Sequence, residues 1–231
     1  MNTWVKVVRY HLAQPLVFVM PWANLAFAFV VCLIVFSQVP IASAATDSRW
    51  TGALASLLGT VFAVSVQTIG RSLPFALTLG MSRRSYYGGT ALTGMVIAFV
   101  NAVGITVLQA IERATNGWGV TMGFFRIPYI LDGPWYTTWL TAFVAGTMLF
   151  IYGMWYGIVY RRWGLYGTVM FVAAQVAVAL AGSLAVTWTH AWASVGGFFT
   201  SLTALGLTGV IAALAVVLLA GGHATVRRAA V

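Results

Sequence analysis

The side chains that carry covalent or metal chemistry are few in this chain, and they are scattered. Its 231 residues include three acids, Asp47, Glu112 and Asp132, three histidines, His11, His190 and His223, and one cysteine, Cys32. A metal centre needs several such groups at one point, and nucleophilic catalysis needs a base within hydrogen-bond reach of the nucleophile. Here the histidines fall at the ends of different apolar runs, Cys32 lies inside one run, and no carboxylate lies at the middle of any. A proton relay or cation site of the sort used by secondary carriers would need an ionisable group at that depth. The phosphate-binding pattern Gly-x-x-x-x-Gly-Lys-Ser/Thr does not occur, so nucleotide hydrolysis is not expected of this polypeptide. No catalytic residue and no metal ligand is assigned.

What the apolar runs do contain is uncharged amides: Asn24, Gln67, Asn101, Gln109 and Gln175. An amide in an apolar medium is costly unless it is paired. These side chains are therefore expected to tie helices together or to face a cavity. Asn24, Gln67, Asn101 and Gln175 are the candidates for lining a path.

The elements that position them are set by composition. Apolar residues make up 61% of the chain and charged residues 6%, where a soluble domain carries about 25% charge. A hydrocarbon core about 30 Å thick needs about 20 apolar residues per helix. Six runs satisfy that, at 15–38, 50–70, 89–111, 136–160, 164–189 and 200–222. On one side the gaps and ends hold Lys6, Arg9, Arg71, Arg83, Arg84, Arg161, Arg162, Arg227 and Arg228, with no acid. On the other side Arg49, Arg113 and Arg126 are balanced by Asp47, Glu112 and Asp132. Short cytoplasmic loops retain Lys and Arg, so both termini are expected in the cytoplasm, with the net charge of +9 on that face.

The expected fold is thus an all-α integral membrane protein, a single domain over 1–231. Residues 1–14 form an interfacial helix, 15–222 the six spans, and 223–231 a cytoplasmic tail. Trp4, Val5, Val8 and Leu12 share one face of the interfacial helix, and Pro15 lets the chain turn into the membrane. Ala42-Ser43-Ala44 resembles a signal-peptidase site, but the run before it exceeds the signal-peptide core of about 7–15 residues. Cations paired at span ends suit anionic lipid headgroups, so lipid rather than nucleic acid is the expected charged partner.

Aromatic residues mark both boundaries: Tyr86, Tyr87, Tyr160, Trp163 and Tyr166 accompany the inner cations, and Trp50, Trp118, Trp135, Trp139, Trp188 and Trp192 lie outside. Interfacial anchoring is the expectation for all of them. Gly153 and Gly157, Gly59 and Ala63, and Gly209 and Ala213 have the small-xxx-small spacing that lets helices approach closely. Outside, residues 112–135 read as an irregular loop whose Phe124 and Phe125 rest on the membrane surface. Residues 190–200 are too apolar for a free loop and too short to span, which suits a re-entrant hairpin.

The most specific stretch joins spans two and three, from Arg71 to Gly89. Ser72 can cap a short helix with Pro74 in its first turn, Gly80 suits the left-handed residue that ends it, and Ser82 can cap the next span. The expected product is a two-turn helix presenting Phe75, Leu77, Leu79 and Met81 on a basic cytoplasmic shelf. Such a helix either dips into lipid or inserts into a groove on a soluble partner.

Here the chain resembles the permease subunits of ABC-2-type ATP-binding-cassette transporters, in their small six-span bacterial form. The resemblance rests on Pro74-Phe75-Ala76-Leu77-Thr78-Leu79-Gly80-Met81-Ser82-Arg83-Arg84. It is supported by Tyr160-Arg161-Arg162-Trp163-Gly164 and by the interfacial N-terminal helix. It spans the whole chain in topology and a short stretch as motif. It implies a multi-pass plasma-membrane protein with a separate ATPase partner that supplies ATP and Mg chemistry, and a second permease copy or homologue. The coupling residues would be Pro74, Phe75, Leu77, Leu79, Gly80, Met81, Arg83 and Arg84. The Glu-Ala-Ala loop of binding-protein-dependent importers is missing, which favours export. With no charge in the spans, the expected cargo is apolar or amphipathic: a drug, a lipid or a peptide. The competing readings are a scaffold or sensor subunit without transport, and a secondary carrier.

Overall fold

The computed structural model describes residues 7–9, 16–38, 49–78 and 80–228. Six helices dominate: α1 (Leu16–Gln38), α2 (Leu54–Thr78), α3 (Arg83–Ala114), α4 (Trp135–Trp188), α5 (Trp192–Ser201) and α6 (Ala204–Arg228). Two short segments, β1 (Arg49–Trp50) and β2 (Met122–Gly123), pair in parallel. Four stretches are long and apolar enough to cross a membrane: Val17–Gln38, Arg83–Ala114, Trp135–Trp188 and Ala204–Thr225. The apolar part of α2, Leu54–Gly70, is shorter.

At about 1.5 Å per residue, the 54 residues of α4 would reach roughly 80 Å if straight. They do not, because Gly164 adopts φ 65° and ψ −157°, outside the helical region and disfavoured for any side chain. The two limbs fold back on each other around it. The rings of Tyr156 and Phe171 are 5.1 Å apart, and the hydroxyls of Tyr152 and Tyr156 both donate to Gln175 Oε1, the latter at 3.2 Å. Both sets of contacts are symmetric about Gly164, as an antiparallel hairpin requires.

The first limb of α4 packs against α2, α3 and α6. Gly153 and Gly157 explain its approach to α2. A methyl at Gly153 would lie 1.7 Å from Ser65 Oγ and 2.8 Å from Phe62 O, and one at Gly157 would lie 2.9 Å from Val66 O. The same spacing does nothing comparable elsewhere, because Gly59 and Gly209 have no neighbour within 4 Å of such a methyl. The core runs through Leu57, Val61, Ile69, Tyr86, Ile97, Phe150 and Met154, all at most 2% exposed. The second limb of α4 and α5 stand largely outside this core, with Val178, Trp188 and Phe198 exposed.

Three expectations are corrected here. The helix expected to start at Ser72 is not separate, since α2 continues unbroken to Thr78. Its buried stripe of Val61, Ser65, Ile69 and Ala76 keeps helical spacing across Ser72, so packing carries the helix through. Tyr86 and Tyr87 are not boundary anchors; they are buried and tie α3 to neighbours, Tyr86 to Thr68 O at 2.8 Å and Tyr87 to Leu219 O at 3.2 Å. Phe124 and Phe125 do not rest on the surface, being 0% and 2% exposed. Residues 192–201 form a short exposed helix. Of the interfacial helix, residues 7–9 are helical and Val7 is buried; the rest lies outside the described residues.

Candidate functional site

The turn between α2 and α3 is closed at both ends. Gly80, at φ +74°, takes the left-handed conformation that a side chain rarely adopts. Gly80 N–H donates to Leu77 O at 3.0 Å and Met81 N–H to Ala76 O at 3.1 Å. This is the paired pattern that satisfies the last carbonyls of a helix before a glycine. One residue later Ser82, in an extended conformation, accepts from Ser85 N–H at 3.1 Å and starts α3. The reversal is therefore short and rigid, as the spacing of Gly80 and Ser82 predicts.

Within it, Ala76 is 1% exposed, and Leu73 and Met81 pack against the core. Leu77 and Arg83 are half-buried, while Gly80 and Arg84 are exposed. The side chains of Pro74 and Phe75, and Leu79 as a whole, lie outside the described residues. The face turned toward the bundle is thus Ala76 and Met81. Thr78, Gly80, Ser82 and Arg84 are the exposed described residues of the motif, and Leu77 is half-buried beside them.

The four amides proposed to line a path have four different surroundings. Asn24 Nδ2 donates to Thr60 Oγ1 at 2.8 Å and to Ser56 O at 3.3 Å, joining α1 to α2. Gln67 is exposed on α2, and Asn101 is buried within α3. Gln175 holds the α4 hairpin through Tyr152 and Tyr156, and its Nε2 is buried with no hydrogen-bond partner among the described residues. An apolar crevice of about 160 Å³ lies between α3, α4 and α6, walled by Met95, Phe143, Thr147, Ile151, Ala212 and Ala215 among others. None of the four amides lines it. Asn24 and Gln175 act singly, as ties between helical segments.

The densest polar arrangement is one that sequence reasoning treated only as charge balance. Glu112, in the last turn of α3, is 1% exposed. Its Oε2 accepts from Trp118 Nε1–H at 3.0 Å, Phe124 N–H at 3.0 Å and Phe125 N–H at 2.9 Å, and its Oε1 accepts from Arg126 N–H at 3.1 Å. Three successive backbone donors aimed at one carboxylate form an anion-binding concavity. Charge-assisted bonds of this kind are roughly twice as strong as neutral ones. They turn Phe124 and Phe125 inward, where Phe124 meets the ring of Phe29 on α1 at 5.3 Å.

Neighbours on the same helix face extend the grip. Gln109 Nε2 donates to Leu131 O, and Arg113 Nη2 donates to Gly133 O at 2.7 Å. Arg126 Nε donates to Asp132 Oδ1 at 2.9 Å, and this bond holds the exposed Arg126 guanidinium above its ordinary pKa. The signal that could have revealed the arrangement is the spacing of Gln109, Glu112 and Arg113, which puts a donor, an acceptor and a cation on one face at a helix end.

Compared with protein-family models, curated proteins and solved structures, the chain matches none.

Proposed function

We propose that this chain is the membrane-spanning subunit of an ATP-driven exporter of apolar or amphipathic cargo, worked by a separate ATPase. On this reading the α4 hairpin would contribute two crossings, and α1, α3 and α6 one each. The sixth would be α2, whose apolar part is shorter, through its polar extension; the four long apolar helices support the count. An even number of crossings leaves both termini and the arginine-rich turns in the cytoplasm. The observation that carries the reading is the turn from Ala76 to Ser85. It is closed by backbone hydrogen bonds on one side and a serine cap on the other, and it abuts Arg83 and Arg84.

A turn of that stiffness can pass a push from a soluble partner into two helices at once, since α2 and α3 leave it directly. Movement of α3 would tilt the bundle against a second permease subunit and open a path between them. A scaffold subunit would have no use for an ATPase. Copurification from native membranes separates the two: the exporter reading expects an ATPase to accompany this chain, and Leu77→Asp to weaken its retention while the bundle stays folded. Isolation of the chain repeatedly free of any ATPase would overturn it.

A further inference from the structure

We propose that residues 115–134 form a movable outer cap, latched shut by Glu112. The cap rests on the permease reading for its purpose, which is to seal the outer mouth. Its latching is a property of the chain alone.

Three observations carry this. First, one buried carboxylate takes four donors from Trp118, Phe124, Phe125 and Arg126, so a single event releases them together and leaves the short β1–β2 pairing as the hinge. Second, the cap is held under strain. Asn116, Trp118, Thr121 and Tyr129 all have positive φ, at 50°, 64°, 53° and 69°. Such conformations persist only where the surroundings over-determine them, and they cluster at clamps and switches. Third, the cap bridges distant parts of the chain. Tyr129 O–H donates to Phe199 O at 3.1 Å and to Leu202 O, at the end of α5, while Gln109, Glu112 and Arg113 hold it to α3. A loop that merely joined α3 to α4 would need no tie to α5. On its inner face, Met122, Phe124, Phe125 and Leu131 are at most 5% exposed, so lifting it uncovers apolar surface against α1 and α3.

The test uses the full chain in proteoliposomes, with Cys32→Ala as background and a single reporter, Met122→Cys, buried at 1% in the cap. A membrane-impermeant maleimide is applied from outside. Expected is slow labelling with Glu112 present and at least tenfold faster labelling with Glu112→Gln, which keeps the shape and removes the charge. A second reporter, Ala102→Cys, buried at 0% inside the bundle, stays unreactive in both. Tyr129→Phe, which frees only the tie to α5, accelerates Met122→Cys labelling by a smaller factor. A trapped small anionic dye leaks faster through the Glu112→Gln protein. Unchanged Met122→Cys labelling in both variants overturns the latch, as does equal reaction of both reporters, which makes Glu112 a determinant of the whole fold. Faster labelling without leak overturns the seal and leaves the exporter reading standing. Retention of the labelling pattern by a chain that never copurifies with an ATPase from native membranes overturns the exporter reading and leaves the latch standing.

Discussion

Gly153→Ala should destabilise the bundle, and the geometry says by how much. The added methyl would sit 1.7 Å from Ser65 Oγ and 2.8 Å from Phe62 O, where apolar contact prefers about 3.5–4.0 Å. The Ser65 hydroxyl is buried and bonded to Phe62 O at 2.7 Å, so moving it aside forfeits that bond. Phe62 O is backbone, and it yields only if α2 and α4 separate by several tenths of an ångström. Overpacking of this kind costs about 1–3 kcal/mol. Gly209→Ala on α6 is the control, with the same chemistry and the same small-xxx-small spacing but no neighbour within 4 Å. There the helix gains up to about 1 kcal/mol from the better helix former. The two variants should therefore differ by about 1–4 kcal/mol in reversible denaturant unfolding in one detergent. Adding Ser65→Ala to Gly153→Ala should recover part of the loss and not all, since Phe62 O remains. Equal stability of the two alanine variants would refute the close approach of α2 to α4.

Two further outcomes follow from the local geometry. Gly80→Ala places a side chain at φ +74° and should cost about 1–2 kcal/mol, with proteolysis at the α2–α3 turn increasing before any change elsewhere. A Tyr156→Cys, Phe171→Cys pair in the Cys32→Ala background should cross-link readily within one chain, since those rings are 5.1 Å apart. A Tyr156→Cys, Val178→Cys pair, off the hairpin's symmetry, should not, and efficient cross-linking of both pairs would contradict a fixed hairpin at Gly164.

Much of the architecture was legible because bilayer-scale apolar runs and cation pairs are strong, redundant signals. Gly80, Ser82, Gly153 and Gly157 were legible for a different reason: each answers to a local geometric demand that few residues meet. Ser72 misled because a serine before a proline looks like a helix start, while the buried stripe that keeps α2 going depends on which face meets the core. Tyr86 and Tyr87 misled similarly. Their position beside cations suits a boundary belt, but whether a tyrosine faces lipid or a neighbouring helix is a tertiary matter. Glu112 was the largest omission. Its partners are mostly backbone N–H groups of residues 124–126, which have no side-chain signature. The amides show another limit: Asn24 and Gln175 were expected to tie helices together or to face a cavity, and no local pattern names Thr60, Ser56, Tyr152 and Tyr156 as the groups they meet.

Sidedness tests the account most directly. With Cys32→Ala as background, Ser82→Cys and Gly119→Cys both lie at exposed positions, one in the α2–α3 turn and one in the cap. In right-side-out vesicles an impermeant maleimide should label Gly119→Cys and spare Ser82→Cys, and inverted vesicles should reverse the pattern. Labelling of both positions from the same side would contradict the crossing of α3, and with it the cytoplasmic turn on which the exporter reading depends.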